Sequence, residues 1–172
     1  MSCSITLAGL TRDCEPSRGG IVAVWFADVN ASGGAPTVTV SSGEISAVSG
    51  GTWLKYKFPK NTGSVASAYN INEENGTKYV ESTLTLVFNR METAKRVEIC
   101  ALAQGELVAI VKDANGKYWY LGKDEPLILA TGEGNTGTAR ADRNGYNVTL
   151  KDVSNELPYE CLKSGLPVAI DE

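Results

Sequence analysis

Apolar and polar positions alternate with a period of two along much of this chain, as half-buried antiparallel strands require. The longest case is residues 77–88, where Val80, Leu84, Leu86 and Phe88 share one face and Glu81, Thr83 and Thr85 the other. Just before it, Val65, Ser67, Tyr69 and Ile71 alternate with Ala66, Ala68 and Asn70, and Glu74-Asn75-Gly76 supplies a hairpin turn. Residues 53–58 alternate too, with Leu54, Tyr56 and Phe58 opposite Lys55 and Lys57, until Pro59 ends the run. Residues 21–26 form a run rich in strand formers, and residues 107–111 are apolar throughout, as in a central strand. Shorter strand candidates lie at 37–40, 44–48, 117–121, 126–130 and 146–150, and the tail from Asn155 onward shows little pattern.

One stretch departs from that period. Residues 90–104 read as a helix, with Asn89 as N-cap, Glu92 three residues on as in a capping box, and Gly105 as the left-handed residue that ends it. Glu92 and Arg96 are spaced as a favourable i, i+4 pair. Met91, Ala94, Val97, Ala101 and Leu102 make a loose apolar face, and Ile99 and Cys100 fall off it. Such a helix either packs on more than one side within its own domain or has its extra apolar surface covered by a neighbouring subunit. The pattern therefore predicts a mainly β fold. It is an antiparallel β-sandwich or barrel with one packed α-helix, forming a single domain over residues 1–172. Flexible loops are expected at 27–36, 61–64 and 129–140.

Composition narrows the functional classes. A chain of 172 residues buries roughly 70% of its unfolded surface and needs no metal or disulfide to fold. There is no histidine, which removes the usual general base near neutrality and the commonest metal ligand. A net charge of −4 does not favour nucleic acid or an anionic membrane as a tight partner. No apolar run approaches the roughly 18–20 residues that span a bilayer. The first dozen residues lack the basic segment of a signal peptide, so none is expected. Cys3, Cys14, Cys100 and Cys161 contain no C-x-x-C pair. Cys3 and Cys14 are spaced so that they could pair, but without export free thiols are the expectation. For the same reason the Asn-x-Ser/Thr sequences at Asn30, Asn75 and Asn147 read as chance matches.

Several motifs invite chemistry and read better as structure. Gly132-Glu133-Gly134-Asn135-Thr136-Gly137 spells G-x-G-x-x-G, but a dinucleotide site needs a helix opening at that loop, and here a turn and a strand follow. Asp113-x-Asn115-Gly116 and Asp142-x-Asn144-Gly145 resemble fragments of calcium loops, yet both lie between strands, where Asn-Gly is a preferred turn pair. Tyr118-Trp119-Tyr120 has the composition of a stacking platform, but alternation puts Trp119 on the face opposite the two tyrosines, so packing is the better reading. No serine or cysteine can have a histidine partner, and the carboxylates are scattered over turns and polar faces. The expectation is no catalytic residue, no cofactor, no metal and no enzymatic activity.

The ordered motifs resemble a family of tailed-phage virion proteins from phages and prophages of Bacteroidota, crAss-like phages among them. The resemblance rests on Gly19-Gly20-Ile21, Lys55-Tyr56, Phe58-Pro59-Lys60 and Asn75-Gly76-Thr77. It continues through Thr93-Ala94-Lys95-Arg96, Leu102-Ala103-Gln104, Val111-Lys112-Asp113 and Asn115-Gly116-Lys117-Tyr118-Trp119. Leu121-Gly122, Thr136-Gly137-Thr138-Ala139, Asp142 and Gly145-Tyr146 complete it. The resemblance implies a tail-tube-like fold and a tail tube subunit whose rings, hexameric in a tail tube, stack into a DNA conduit. A neck, collar or tail ring protein is the alternative, and a surface glycan- or ligand-binding sandwich is the alternative of another class. Its partners would be copies of itself, other virion proteins and DNA in transient, non-specific passage, with no membrane. It would assemble in the bacterial cytoplasm and reside in the virion. Under that reading Glu73, Glu74 and Glu81 are candidates for an acidic lumen that repels phosphate. Ile99, Cys100, Gly132, Gly134 and Gly137 are candidates for contacts between subunits.

Overall fold

The structure is a computed structural model that describes residues 5–170. It is a β-sandwich with one helix. In chain order the strands are β1 (Ile21–Asp28), β2 (Thr37–Ser41), β3 (Glu44–Ser49), β4 (Leu54–Tyr56), β5 (Ser64–Asn72) and β6 (Thr77–Asn89). Helix α1 (Thr93–Gln104) follows, then β7 (Leu107–Asp113), β8 (Tyr118–Leu121), β9 (Ile128–Asn135), β10 (Gly145–Ser154) and β11 (Tyr159–Cys161). One sheet has seven strands in the order β2-β3-β11-β8-β7-β1-β4, and the other has four in the order β5-β6-β10-β9. Pairing is antiparallel except between β11 and β3, which meet in parallel at Cys161 and Ile45.

The continuous apolar runs of β1 and β7 are explained by two cores, one on each face of the larger sheet. Val24 and Phe26 of β1 and Ala109 and Val111 of β7 face the smaller sheet, where Leu84, Leu86, Val148 and Leu150 meet them. Ala23, Trp25, Val108 and Ile110 point the other way, into a second core closed by Ile45, Val48, Trp53, Cys161 and Ile170. A register shift between Ile21 and Ala23 turns Ile21 onto the same face as Val24 and Phe26, and leaves Val22 in solvent. Tyr118 and Tyr120 enter the second core, where Trp25 and Trp53 pack against them at ring-centroid distances of 6.2 and 6.4 Å. Trp119, on the opposite face, donates its indole N–H to Asp113 Oδ2 at 3.1 Å. The packing reading of that aromatic triplet therefore holds.

The long alternating strand is β6, with Val80, Leu84, Leu86 and Phe88 buried as expected. Several expectations need correction. The helix begins at Thr93, not at 90, because β6 runs on through Asn89, which pairs with Gly145, and Arg90 then adopts φ 63°. Asn89 is no cap. Asn144 accepts the Met91 N–H at 2.8 Å from a distant loop, and Glu92 bridges Arg90 (3.2 Å) and Lys95 (3.5 Å) instead of Arg96. Gly105 is extended, with φ −92° and ψ 157°, because the chain passes straight from α1 into β7. The expected loop at 129–140 is largely strand, since β9 reaches Asn135 and pairs with β10 along most of its length.

A further correction concerns the orientation of α1. Leu102 is buried and Ile99 is half-buried against the main core, whereas Met91, Ala94, Val97 and Ala101 are exposed. The inward face is thus the Ile99–Leu102 stripe. The loops at 27–36 and 61–64 are trimmed at one end each, by β1 through Asp28 and by β5 from Ser64. The patternless tail supplies β11, held between β3 and β8.

Two substitutions test this packing. A Cβ at Gly145 would stand 2.1 Å from the Phe88 carbonyl oxygen, so Gly145→Ala should destabilise the protein by about 1–3 kcal/mol, read as a lower urea midpoint. Asp152 of β10 is buried opposite Ser82, and burial raises its carboxyl pKa, while the Gly122 N–H bond (2.8 Å) and Ser82 pull it down. With the folded value above the unfolded one, charging Asp152 costs stability as the pH climbs past the ordinary carboxylate value of 3.8. Asp152→Asn keeps an oxygen for the Gly122 N–H. Its stability relative to wild type should therefore rise between pH 4 and pH 7, measured by denaturant unfolding across that range.

Candidate assembly surface

The ends of a sheet carry backbone groups that no strand of the same sheet satisfies, so the edges are where this fold can meet another chain. There are four: β2 and β4 on the larger sheet, β5 and β9 on the smaller. Three are blunted. β2 is five residues long, with a register shift between Thr39 and Val40. β4 is three residues long and includes Lys55. Helix α1 packs against β9.

The fourth edge is different. β5 has nine residues, pairs with β6 without a register shift, and contains neither a charged residue nor proline. Its Val65, Ser67, Tyr69 and Ile71 stand opposite Leu84, Ser82, Val80 and Lys78, so they point toward the main core. The larger sheet covers only the first two. Tyr69 is 43% and Ile71 65% exposed, an apolar overhang at the end of the β5–β6 hairpin. Beside this edge runs a mostly apolar groove of about 420 Å³, lined by Ile21, Val65, Val111, Trp119, Leu157 and Pro158 among others.

A second opening lies across the sandwich, between β4 and α1. Two adjoining cavities of about 360 and 370 Å³ share Leu54, Tyr56, Glu98 and Leu102. The Tyr56 hydroxyl donates to Glu98 Oε1 and ties the edge strand to the helix. Burial first, and Glu98 second, raise the Tyr56 pKa well above its ordinary value, so the phenol keeps its proton.

The residues before β1, from Ile5 on, form an arm without regular secondary structure. Ile5, Leu7 and Leu10 are 81%, 89% and fully exposed. Asn115 holds the base of the arm: its Oδ1 accepts the Arg18 N–H at 2.8 Å, and its Nδ2 donates to the Arg18 carbonyl at 3.2 Å and Ser17 Oγ at 3.4 Å. Asp113 shapes the turn that presents Asn115, accepting the Asn115 and Lys117 N–H groups at 2.8 and 2.9 Å. The Asp113-Asn115-Gly116 motif is therefore a turn, as expected, with a docking task that sequence reasoning did not assign. Asp142 does similar work, accepting the Thr138 and Ala139 N–H groups at 2.9 and 2.7 Å, which hold its carboxyl pKa down.

The residues singled out from the sequence do not form one site. Glu73 and Glu74 are exposed in the turn between β5 and β6, beside the β5 overhang. Glu81 lies on the outer face of β6, paired with Lys151 Nζ at 3.0 Å. Gly132 and Gly134 lie in β9 under the chain around α1: Cβ atoms there would stand 3.8 Å from Ile99 Cγ2 and 3.1 Å from Met91 Cε. They let helix and sheet approach. Gly137 has φ 72° and packs on Asp142 in the following turn. Cys100 is exposed on α1. Cys14, Cys100 and Cys161 are free thiols, burial pushes Cys161 up to about 12, and Cys3 lies outside the described residues. Among the described residues no cluster of three or more His, Cys, Asp or Glu side chains offers a metal site.

The arm and the bare β5 edge are what sequence reading missed. The available signals were the Ile5, Leu7 spacing and a nine-residue strand without charge. Asn115→Ala should release the base of the arm and speed tryptic cleavage after Arg18 several-fold. The unfolding free energy should fall by no more than about 1–2 kcal/mol, because the lost bonds are exposed. Limited proteolysis followed by intact mass measures the first and urea unfolding the second. No family model, no curated protein and no solved structure matches the chain.

Proposed function

We propose that this protein is an architectural subunit that completes its sheets with copies of itself: the tail tube or ring protein of a tailed-phage virion. The observation that carries the proposal is β5, a long, uncharged, unbulged edge beside an apolar groove. A secreted or cytosolic monomer with such an edge would be prone to aggregate, whereas a subunit of an assembly has its edge covered by design. The ordered sequence resemblance to phage virion proteins points the same way, and a sandwich with one flanking helix agrees with it.

A conduit for DNA needs a wall that does not bind phosphate. The outer face of the four-stranded sheet suits that task. Thr85, Thr149 and Thr131 stand in register across three strands, and the one lysine nearby, Lys151, is spent on Glu81. Hydroxyls and a neutralised pair leave no cationic foothold for a polyanion. Glu73 and Glu74 add negative charge at the hairpin tip. In this reading the protein performs no chemistry, and its parts act by fit.

The purified protein should form rings or stacked tubes under negative stain, with a mass by light scattering that is a multiple of 18.3 kDa. A strict monomer at high concentration, or a monomer that retains glycans on an array, would overturn the proposal.

A further inference from the structure

We infer that the β5 edge of each subunit is covered by the N-terminal arm of a second copy. The inference rests on the assembly reading above and names the contact that drives it.

The two surfaces fit in length and in chemistry. Residues 5–11 of the arm carry no charge, and neither does β5 over Ser64–Asn72. An added strand must cover the overhang with apolar side chains two positions apart, because only alternate residues face the core. Ile5 and Leu7 have that spacing, which is also the spacing of Tyr69 and Ile71. The added strand would also satisfy the outer backbone groups of β5, for among the described residues no backbone–backbone hydrogen bond of a loop or bridge reaches residues 64–72.

The geometry allows the exchange. Arg18 and Gly20 line the same groove as Ser64 and Val65, so the arm leaves the body close to its own β5 edge. Asn115 pins that point of departure at Ser17 and Arg18. The 14 residues from Ile5 to Arg18 span about 43 Å when extended, enough to cross a neighbouring subunit. Within a single copy both surfaces stay open: Ile5, Leu7 and Leu10 are uncovered, and so is Ile71. Exchange between copies covers both at once.

Complementary variants test this. One lacks residues 1–16 and keeps the edge. The other, Ile71→Glu, keeps the arm but sets a carboxylate in the overhang, opposite Lys78, at a position exposed enough to leave folding intact. Circular dichroism and thermal melts confirm that both fold. Each variant alone should need at least tenfold more protein than wild type to assemble. Mixed, they should form a 1:1 pair by size exclusion with light scattering, because one supplies an arm and the other an edge. If wild type assembles and both variants assemble equally well, the arm inference falls and the architectural reading stands. A mixture that stays monomeric, or a Thr6→Cys/Asn70→Cys chain, whose two thiols share the outer face, that forms its disulfide within one copy, also overturns the inference. A wild-type protein that never assembles removes both.

Discussion

The molecule depends on two strands that cannot face water on either side. β1 and β7 pair over seven positions, and their side chains feed two separate cores. Their backbone groups pair with each other, with the flanking β4 and β8, and at Leu107 with Leu127. Full burial of one large apolar side chain is worth about 1.5–3 kcal/mol, so Ile21, Val24, Trp25, Phe26, Leu107, Val108, Ile110 and Val111 together outweigh any surface contact in the molecule. The other elements are positioned by that demand. The four-stranded sheet roofs one face; β3, Trp53 and the C-terminal turn with Ile170 close the other.

Elements whose pattern is set by that burial were legible in the sequence. β6 shows its period of two because one face meets the core and the other does not, and Tyr118 and Tyr120 flank Trp119 for the same reason. Elements set by contacts distant in sequence were not. The start of α1 is governed by Asn144, 53 residues from Met91, and by Gly145 pairing with Asn89. Local capping signals at Asn89 and Glu92 were present and lost to that ladder. β9 looked like a loop because its glycines are strand-breaking in isolation, yet they are required where Met91, Ile99 and Tyr146 press on the sheet. β11 has three residues and no pattern of its own; it exists because β3 and β8 leave a strand-wide gap.

The candidate site was legible in part. The acidic residues at the hairpin tip lie in solvent, where a turn rich in Glu and Asn belongs. Glu81 could not be told from them by sequence, since its partner Lys151 is 70 positions away and becomes adjacent only when β10 pairs with β6. Ile99 fell off the stripe drawn through Met91, Ala94 and Val97 because that stripe assumed the most apolar face points inward. The helix instead turns Ile99 and Leu102 inward and leaves Val97 in solvent, so its uncovered apolar surface comes from a different set of residues.

An arm at one place on the chain and an edge at another are different surfaces, and this determines what kind of assembly they can build. Self-complementary contact of β5 with β5 would give a two-fold dimer and leave both arms unused. An arm laid on the next subunit's edge is a head-to-tail contact, and repeated head-to-tail contacts either close into a ring or run on as a helix. Which of these occurs depends on the rotation between neighbours, and that rotation is set where the arm is held most firmly. Asn115 fixes Ser17 and Arg18 to the turn between β7 and β8, so the arm's departure is coupled to the strands that anchor both cores. A flexible tether would permit many angles between subunits. One clamped at its base to the turn that joins β7 to β8 restricts them, which is the property a ring of fixed size requires.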